Sequence, residues 1–258
     1  MPLSYETIGE PSDTPLIFLH GLGGGAYRTA STFPSLPNTY LIAPDMPGHG
    51  DSQDFTADDF NFDAFADLVI ELMDELGIES CNIGGLSMGS GITLNLALRY
   101  PERIQKMIIL RPSWLHEKQP DHLKLVAYIG MWIEEAGIDG ARTKLLGHHT
   151  FKHLDHGNKP VADSIGEFFE RPVTPASTAV LYKMWQDAPF TELSQLSTIP
   201  NSTLVLTSPL DDLHPQSTAD TIASCLPNAE TAQLPPRYHE PQEYRLALNA
   251  IVSKFLAD

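Results

Sequence analysis

The sequence predicts an α/β fold, with a mostly parallel sheet flanked by helices and a helical segment inserted into it. Short continuous apolar runs alternate with longer stretches of helical periodicity, which is the pattern of strand–helix–strand units. The alternation stops at Arg111-Pro112 and returns at residues 203–207. The stretch between these points, residues 112–196, shows helical patterns only.

The first half of the chain supplies four expected strands and two expected helices. The short runs bounded by Pro or Gly resemble buried parallel strands. The helical period from Phe62 to Leu76 ends at Gly77, a residue suited to a left-handed helix cap. The expected strands are 16–19, 40–43, 81–85 and 107–110, and the second helix is 88–99.

The second half continues the same rhythm after the inserted segment. We expect a strand at 203–207, a helix at 216–225, a short strand at 229–234 and a final helix at 242–256. The domain prediction is therefore a core formed by residues 1–111 and 197–258, interrupted by a helical cap formed by residues 112–196. Aromatic residues of the cap either pack against the core or line a pocket.

The charge and the cysteine content limit the functional classes. The 258 residues include 16 Lys and Arg against 33 Asp and Glu, which gives a net charge of −17. Nucleic acids and anionic membranes require basic patches, so we expect neither as a partner and expect a small-molecule substrate. The two cysteines indicate no disulfide framework. With no recognisable signal peptide or membrane span, a cytoplasmic location is predicted. The sequence does not indicate an oligomeric state.

Ser87 lies at the centre of the most informative motif, Gly85-Leu86-Ser87-Met88-Gly89. The motif follows an expected strand and precedes an expected helix. On a tight turn between such elements, a serine hydroxyl projects from the edge of the sheet and can act as a nucleophile. A structural turn serine is the alternative.

Four motifs occur together in an order that resembles the α/β-hydrolase superfamily, along nearly the whole chain. They are His20–Gly24, Asp45–Ser52, Gly85–Gly89 and Ser208–Pro215. The resemblance is nearest to small bacterial carboxylesterases and enol-lactonases. It implies an α/β-hydrolase fold whose helical cap is inserted after the strand near 107–110.

The resemblance also implies a catalytic triad. Ser87 would be the nucleophile, activated by a histidine base that an acid orients. The family spacing, four residues before a proline, selects Asp211 as the acid over Asp212. The family order places the base between the last strand and the last helix, which selects His239. Because His239 directly precedes Glu240-Pro241, His214 remains a rival for the role.

Backbone amides would complete such a site. In the family, the tetrahedral oxyanion receives hydrogen bonds from the residue after the serine and from the loop that follows the His-Gly pair. These positions correspond to Met88 and Leu22, with Gly23 as the alternate. His20 and His49 fall inside the family's structural motifs, and we interpret both as residues that fix loops by hydrogen bonds.

Three further residues are candidates for contact with the substrate. Arg111 follows the strand at 107–110 and could hold a substrate carboxylate, although a structural ion pair is the alternative. Trp114 belongs to the same segment, and Gly23 lies in the glycine-rich loop.

The resulting hypothesis is a serine hydrolase, an esterase-like enzyme, that cleaves a small carboxylic ester, thioester or lactone through an acyl-enzyme. It requires no metal and no organic cofactor. Two alternatives remain: a ligand-binding or signalling protein with little turnover, and a carbon–carbon hydrolase or perhydrolase that uses the same triad.

Overall fold

The computed structural model describes residues 2–257, which form one seven-stranded sheet flanked by helices. Along the sheet the strands lie in the order β1-β3-β2-β4-β5-β6-β7. In chain order they are β1 (Tyr5–Ile8), β2 (Thr14–Leu19), β3 (Thr39–Pro44), β4 (Cys81–Leu86), β5 (Ile104–Leu110), β6 (Ser202–Thr207) and β7 (Ala229–Gln233).

Six strands of the sheet are parallel, and the edge strand β1 pairs with β3 in the antiparallel direction. This confirms the predicted fold class of a mostly parallel sheet. The prediction did not include β1, which has four residues and is largely exposed. A short strand without a buried apolar run lacks the signal from which strands are recognised.

Nine α-helices lie in the described part of the chain. They are α1 (Ala26–Thr32), α2 (Phe62–Glu75), α3 (Met88–Arg99), α4 (Lys124–Gly147), α5 (His149–Gly157), α6 (Lys159–Gly166), α7 (Pro175–Trp185), α8 (Gln216–Cys225) and α9 (Pro241–Ala257). Helix α9 packs on one face of the sheet, and α2, α3 and α8 pack on the other. Successive residues of β2 belong alternately to these two apolar clusters, as expected for a strand that is buried on both faces.

The segment between β5 and β6 contains helices α4 to α7 and no strand. Helix α4 packs against α7 and is kinked at Gly137, whose positive φ of 69° interrupts the helical conformation. None of the helices in residues 2–257 is both long enough and apolar enough to cross a bilayer.

Candidate active site

Ser87 occupies a sharp turn between β4 and α3. Its backbone has φ 56° and ψ −109°, a conformation that L-residues rarely adopt. A Cβ at Gly85 would collide with the backbone of Gly89, and a Cβ at Gly89 would collide with the carbonyl group of Leu19. The two glycines of the motif are therefore needed because β4, α3 and β2 approach each other closely at the turn.

The hydroxyl of Ser87 is held by a second serine. Ser113 Oγ donates a hydrogen bond to the Leu213 carbonyl oxygen at 2.9 Å and lies 3.1 Å from Ser87 Oγ. Because the single hydroxyl proton of Ser113 is already used, Ser87 is the donor in the contact between the two. This chain of hydrogen bonds links the nucleophile candidate to the loop after β6, which also carries Asp211 and His214.

Asp211 is the buried acid of that loop. Its carboxylate is fully buried and pairs with Arg111, whose Nη2 lies 2.6 Å and Nε 2.7 Å from Oδ2. Both carboxylate oxygens also lie 2.9 Å from His214 Nδ1. Burial alone would raise the pKa of Asp211, but His214 and Arg111 together hold that pKa to about 2. Asp211 is therefore ionised at neutral pH.

The contacts of His214 define its tautomer. Nδ1 lies 2.9 Å from both carboxylate oxygens of Asp211 and 3.0 Å from Arg111 Nη2. The two N–H groups of Nη2 already have acceptors in Asp211 Oδ2 and the Tyr238 hydroxyl, so Nδ1 carries a proton and donates it to Asp211. Burial lowers the pKa of His214, although the Asp211 carboxylate opposes this effect and the nearby Arg111 guanidinium reinforces it. The imidazole is consequently neutral at pH 7, with an unprotonated Nε2 that has no hydrogen-bond partner within residues 2–257.

His214 and Ser87 line the same cleft. The cleft has a volume of about 560 Å³ and lies between the carboxyl edge of the sheet and the cap. Leu22, Gly23 and Arg111 also line it. It thus joins the turn serine, the glycine-rich loop and an imidazole that is oriented by a buried carboxylate, a set of groups suited to acyl transfer.

The structure does not bring His239 to Ser87. His239 is exposed, does not line the cleft, and makes no side-chain hydrogen bond to any residue of the described chain. Its backbone N–H and that of Glu240 both bind the Pro236 carbonyl oxygen, at 3.1 and 2.8 Å, in a tight turn before α9. In this structure His239 therefore lies outside the cleft that Ser87 lines, whereas its rival His214 lies within it.

Two other expected site residues also lie elsewhere or have other partners. Trp114 is fully buried in the core, where its ring packs edge-on against Phe62 with centroids 5.7 Å apart, and it does not line the cleft. Arg111 lines the cleft but is committed to Asp211 and donates to Tyr238 at 3.1 Å, as in the ion-pair alternative. Asp212 is exposed and accepts a hydrogen bond from Asn158 at 2.6 Å.

Two amides of the glycine-rich loop already have acceptors. Gly23 N–H donates to His49 Nε2 at 2.9 Å, and Gly24 N–H donates to the Gly21 carbonyl oxygen at 2.8 Å. Leu22 N–H has no acceptor among residues 2–257. Met88 is the first residue of α3, and amides of a first helical turn have no acceptor within the helix. Leu22 and Met88, the two positions expected to bind an oxyanion, therefore both have N–H groups without an acceptor in the described chain.

His20 and His49 fix this loop, as the sequence predicts. His20 donates from Nδ1 to the Gly21 carbonyl oxygen and accepts from Met46 N–H at Nε2, at 2.8 and 2.9 Å. Burial lowers the pKa of both histidines, so both rings are neutral and their second nitrogens are acceptors.

Comparison with known proteins agrees with this architecture. The sequence model that describes the α/β hydrolase fold matches residues 14–246. The chain is a member of the α/β hydrolase family. It is 27% identical over 253 residues to a 2-hydroxymuconate semialdehyde hydrolase of Pseudomonas sp. (strain CF600), with 95% of this chain and 87% of that protein covered.

Solved α/β hydrolase structures have the same fold. An enol-lactonase from Burkholderia xenovorans LB400 superposes with a TM-score of 0.76 at 20% identity and covers 99% of this chain and 96% of that one. A meta-cleavage product hydrolase from Pseudomonas fluorescens IP01 gives the same TM-score at 22% identity, with 99% and 94% covered.

Ser113 and Arg171 are among the residues of the site that the sequence analysis of this α/β hydrolase did not predict. Ser113 could have been identified from its position, because it lies three residues after the strand that neighbours the Ser87 strand. Residues that follow neighbouring parallel strands meet at the same edge of the sheet. Arg171 also lines the cleft, but it lies between cap helices without any motif, so nothing in the sequence marks it.

Proposed function

We propose that this α/β hydrolase is a serine hydrolase that cleaves a small carboxylic ester, thioester or lactone. The observation that carries the proposal is the shared cleft, in which Ser87 lies with a neutral imidazole that a buried carboxylate orients. In this proposal the base is His214 instead of the expected His239, and the acid is Asp211, as expected from the sequence.

The reaction follows from these positions. His214 Nε2 takes the proton of Ser87 as Oγ attacks the substrate carbonyl carbon. The amides of Leu22 and Met88 hold the oxyanion, a contribution of roughly 2.7–4 kcal/mol for each donor. The leaving group then takes the proton from His214, and water hydrolyses the acyl-enzyme by the same steps. Before attack, the Ser87 hydroxyl must turn from Ser113 toward the imidazole.

A fluorophosphonate probe tests the nucleophile. Ser87 Oγ should displace fluoride and form a stable phosphonate ester, which mass spectrometry of a tryptic digest locates. Ser87→Ala should remain unlabelled, while Ser90→Ala, a change of a buried serine next to the turn, serves as the matched control and should still label at Ser87. Absence of label on folded wild-type protein would favour a ligand-binding role with little turnover.

A second candidate is hydrolysis of a carbon–carbon bond. The relative from Pseudomonas sp. (strain CF600), which aligns over most of its length, is named a 2-hydroxymuconate semialdehyde hydrolase. The same serine and oxyanion amides serve both reactions. A panel of p-nitrophenyl esters, small lactones and 2-hydroxymuconate semialdehyde, each with wild type and Ser87→Ala, separates the two candidates by which substrate gives serine-dependent turnover.

The pH dependence of kcat/KM provides an independent expectation. The base must be neutral, and burial lowers the pKa of His214 below the usual 6.5 despite Asp211. The charged and titratable groups beside it are Asp211, Arg111 and His122. We therefore expect kcat/KM on a neutral ester to be constant near pH 7 and to fall on acidification with an apparent pKa below 6.5. Circular dichroism at each pH verifies folding, and an apparent pKa at or above 6.5 would contradict the assignment.

A further inference from the structure

The cleft is strongly basic in a strongly acidic protein. Arg28, Arg111, Arg171, Arg237 and Arg245 line it, and Glu167 is its single acidic lining residue. The whole chain contains only 16 basic residues against 33 acidic ones. Concentrating arginines in one concave site creates a positive potential there, which attracts anionic ligands.

Arg171 is the lining arginine whose surroundings point to a ligand. Its Nε donates to the Phe168 carbonyl oxygen at 3.1 Å, and its Nη2 donates to the Ser177 carbonyl oxygen at 3.0 Å. These two neutral acceptors orient the guanidinium but do not neutralise it. No carboxylate within residues 2–257 forms a salt bridge with Arg171.

The nearest acidic residues in the sequence already have partners. Glu167 pairs with Arg28 at 3.3 Å, and Glu170 pairs with Arg142 at 2.7 Å. Burial, reinforced by the charge of Arg28, lowers the pKa of Arg171 to about 10. A half-buried cation of this kind is costly unless a negative charge approaches it.

Nη1 of Arg171 lies beside the glycine-rich loop. A Cβ placed on Gly23 would lie 3.3 Å from Arg171 Nη1, so this nitrogen stands beside the loop that carries the free Leu22 amide. Both N–H groups of Nη1 lack an acceptor in the described chain. These free N–H groups belong to a charged guanidinium, so they can donate charge-assisted hydrogen bonds to a carboxylate.

We infer that Arg171 binds a carboxylate of the substrate, so that the enzyme acts on small compounds that carry both a hydrolysable carbonyl group and a separate carboxylate. This inference rests on the proposed function, since it places the carboxylate beside the carbonyl group that Ser87 attacks. Arg171 is a binding residue of the cap that selects substrates by charge and takes no part in proton transfer.

Matched substrate pairs test the inference. In the first pair, 4-acetoxybenzoate carries the carboxylate on its leaving group, and 4-acetoxybenzamide is the neutral control. In the second pair, the mono-4-nitrophenyl ester of terephthalate carries the carboxylate on its acyl group, and 4-nitrophenyl 4-carbamoylbenzoate is the neutral control. In both acids the carboxylate is para to the ester and cannot attack it. Wild type should prefer the acid in at least one pair, through a lower KM.

The Arg171→Gln variant should lose that preference. We expect kcat/KM for the preferred acid to fall about 10–100-fold, the usual effect of one charged hydrogen-bonding contact. The matching amide should be unaffected, and Arg171→Lys should retain part of the preference. Lys152→Gln removes an exposed cap charge that lies outside the cleft and should change neither substrate. An equal fall for acid and amide, or no preference in wild type, would overturn the inference.

A binding measurement separates this inference from the proposed function. Terephthalate should raise the melting temperature of Ser87→Ala, and the effect should vanish in the Ser87→Ala/Arg171→Gln double variant, with terephthalamide as the uncharged control. Arg171-dependent stabilisation without fluorophosphonate labelling would refute the hydrolase and keep the carboxylate site. Labelling without stabilisation would refute the carboxylate site and keep the hydrolase.

Discussion

Replacing His214 with alanine is expected to lower kcat/KM by about 10⁴-fold or more, because loss of the catalytic base leaves only binding and oxyanion stabilisation. Replacing His239 with alanine should leave kcat/KM close to that of wild type, since the exposed ring contacts neither Asp211 nor Ser87. Steady-state kinetics on the best ester of the substrate panel, with both variants at pH 7, measure the difference.

The pair of variants forms a matched control, because each change removes one imidazole from a loop at the same end of the sheet. His214→Gln adds a second control, since glutamine preserves a hydrogen bond to Asp211 but has no basic nitrogen. Its activity should be as low as that of His214→Ala while its melting temperature stays nearer to wild type. If His239→Ala were the inactive variant, the loop before α9 would have to rearrange during turnover, and the base would be His239.

Much of the fold was predictable because its signals are local. The predicted helices 88–99 and 216–225 have the bounds of α3 and α8. The buried strands were found to within three residues at each end, because each is a continuous apolar run between turn residues. Helix α1 was not predicted: its seven residues, Ala26–Thr32, include a single large apolar side chain, Tyr27, which is exposed.

The site was less predictable because its decisive contacts join distant segments. Ser87 and Asp211 could be proposed from motifs, which record local turns. The partner of Asp211 could not, since choosing between His214 and His239 requires knowing which loop reaches the carboxylate. The family order favoured His239, but in the structure a tight turn at Pro236 holds that residue outside the cleft. Arg171 depends on the packing of the cap, for which periodicity carries no information.

Asp211→Asn is expected to have the second large effect, on stability and activity together. The substitution keeps the size of the side chain but leaves the guanidinium of Arg111 buried without a counter-charge, its own side chain being only 4% exposed. Breaking a buried pair from one side costs about 3–5 kcal/mol of the free energy of unfolding. Without the carboxylate, the Nδ1-protonated tautomer of His214 is no longer fixed. The same change in a comparable triad lowers turnover about 10⁴-fold.

Urea unfolding at pH 7 measures the first effect, and ester kinetics under folding conditions measure the second. Asp212→Asn changes the neighbouring exposed carboxylate and should alter neither quantity strongly. A wild-type free energy of unfolding in Asp211→Asn would show that the ion pair with Arg111 does not form in solution.

The double variant Arg111→Gln/Asp211→Asn then separates structure from chemistry. Removing both charges replaces an unpaired buried cation with two neutral hydrogen-bonding groups, so much of the lost unfolding free energy should return. Activity should stay low, because the imidazole still lacks the anion that stabilises its charged form during proton transfer. Recovery of stability without recovery of turnover would assign Asp211 two independent roles, one toward Arg111 and one toward His214. Recovery of both would mean that the carboxylate serves the fold alone and that His214 works without an acid.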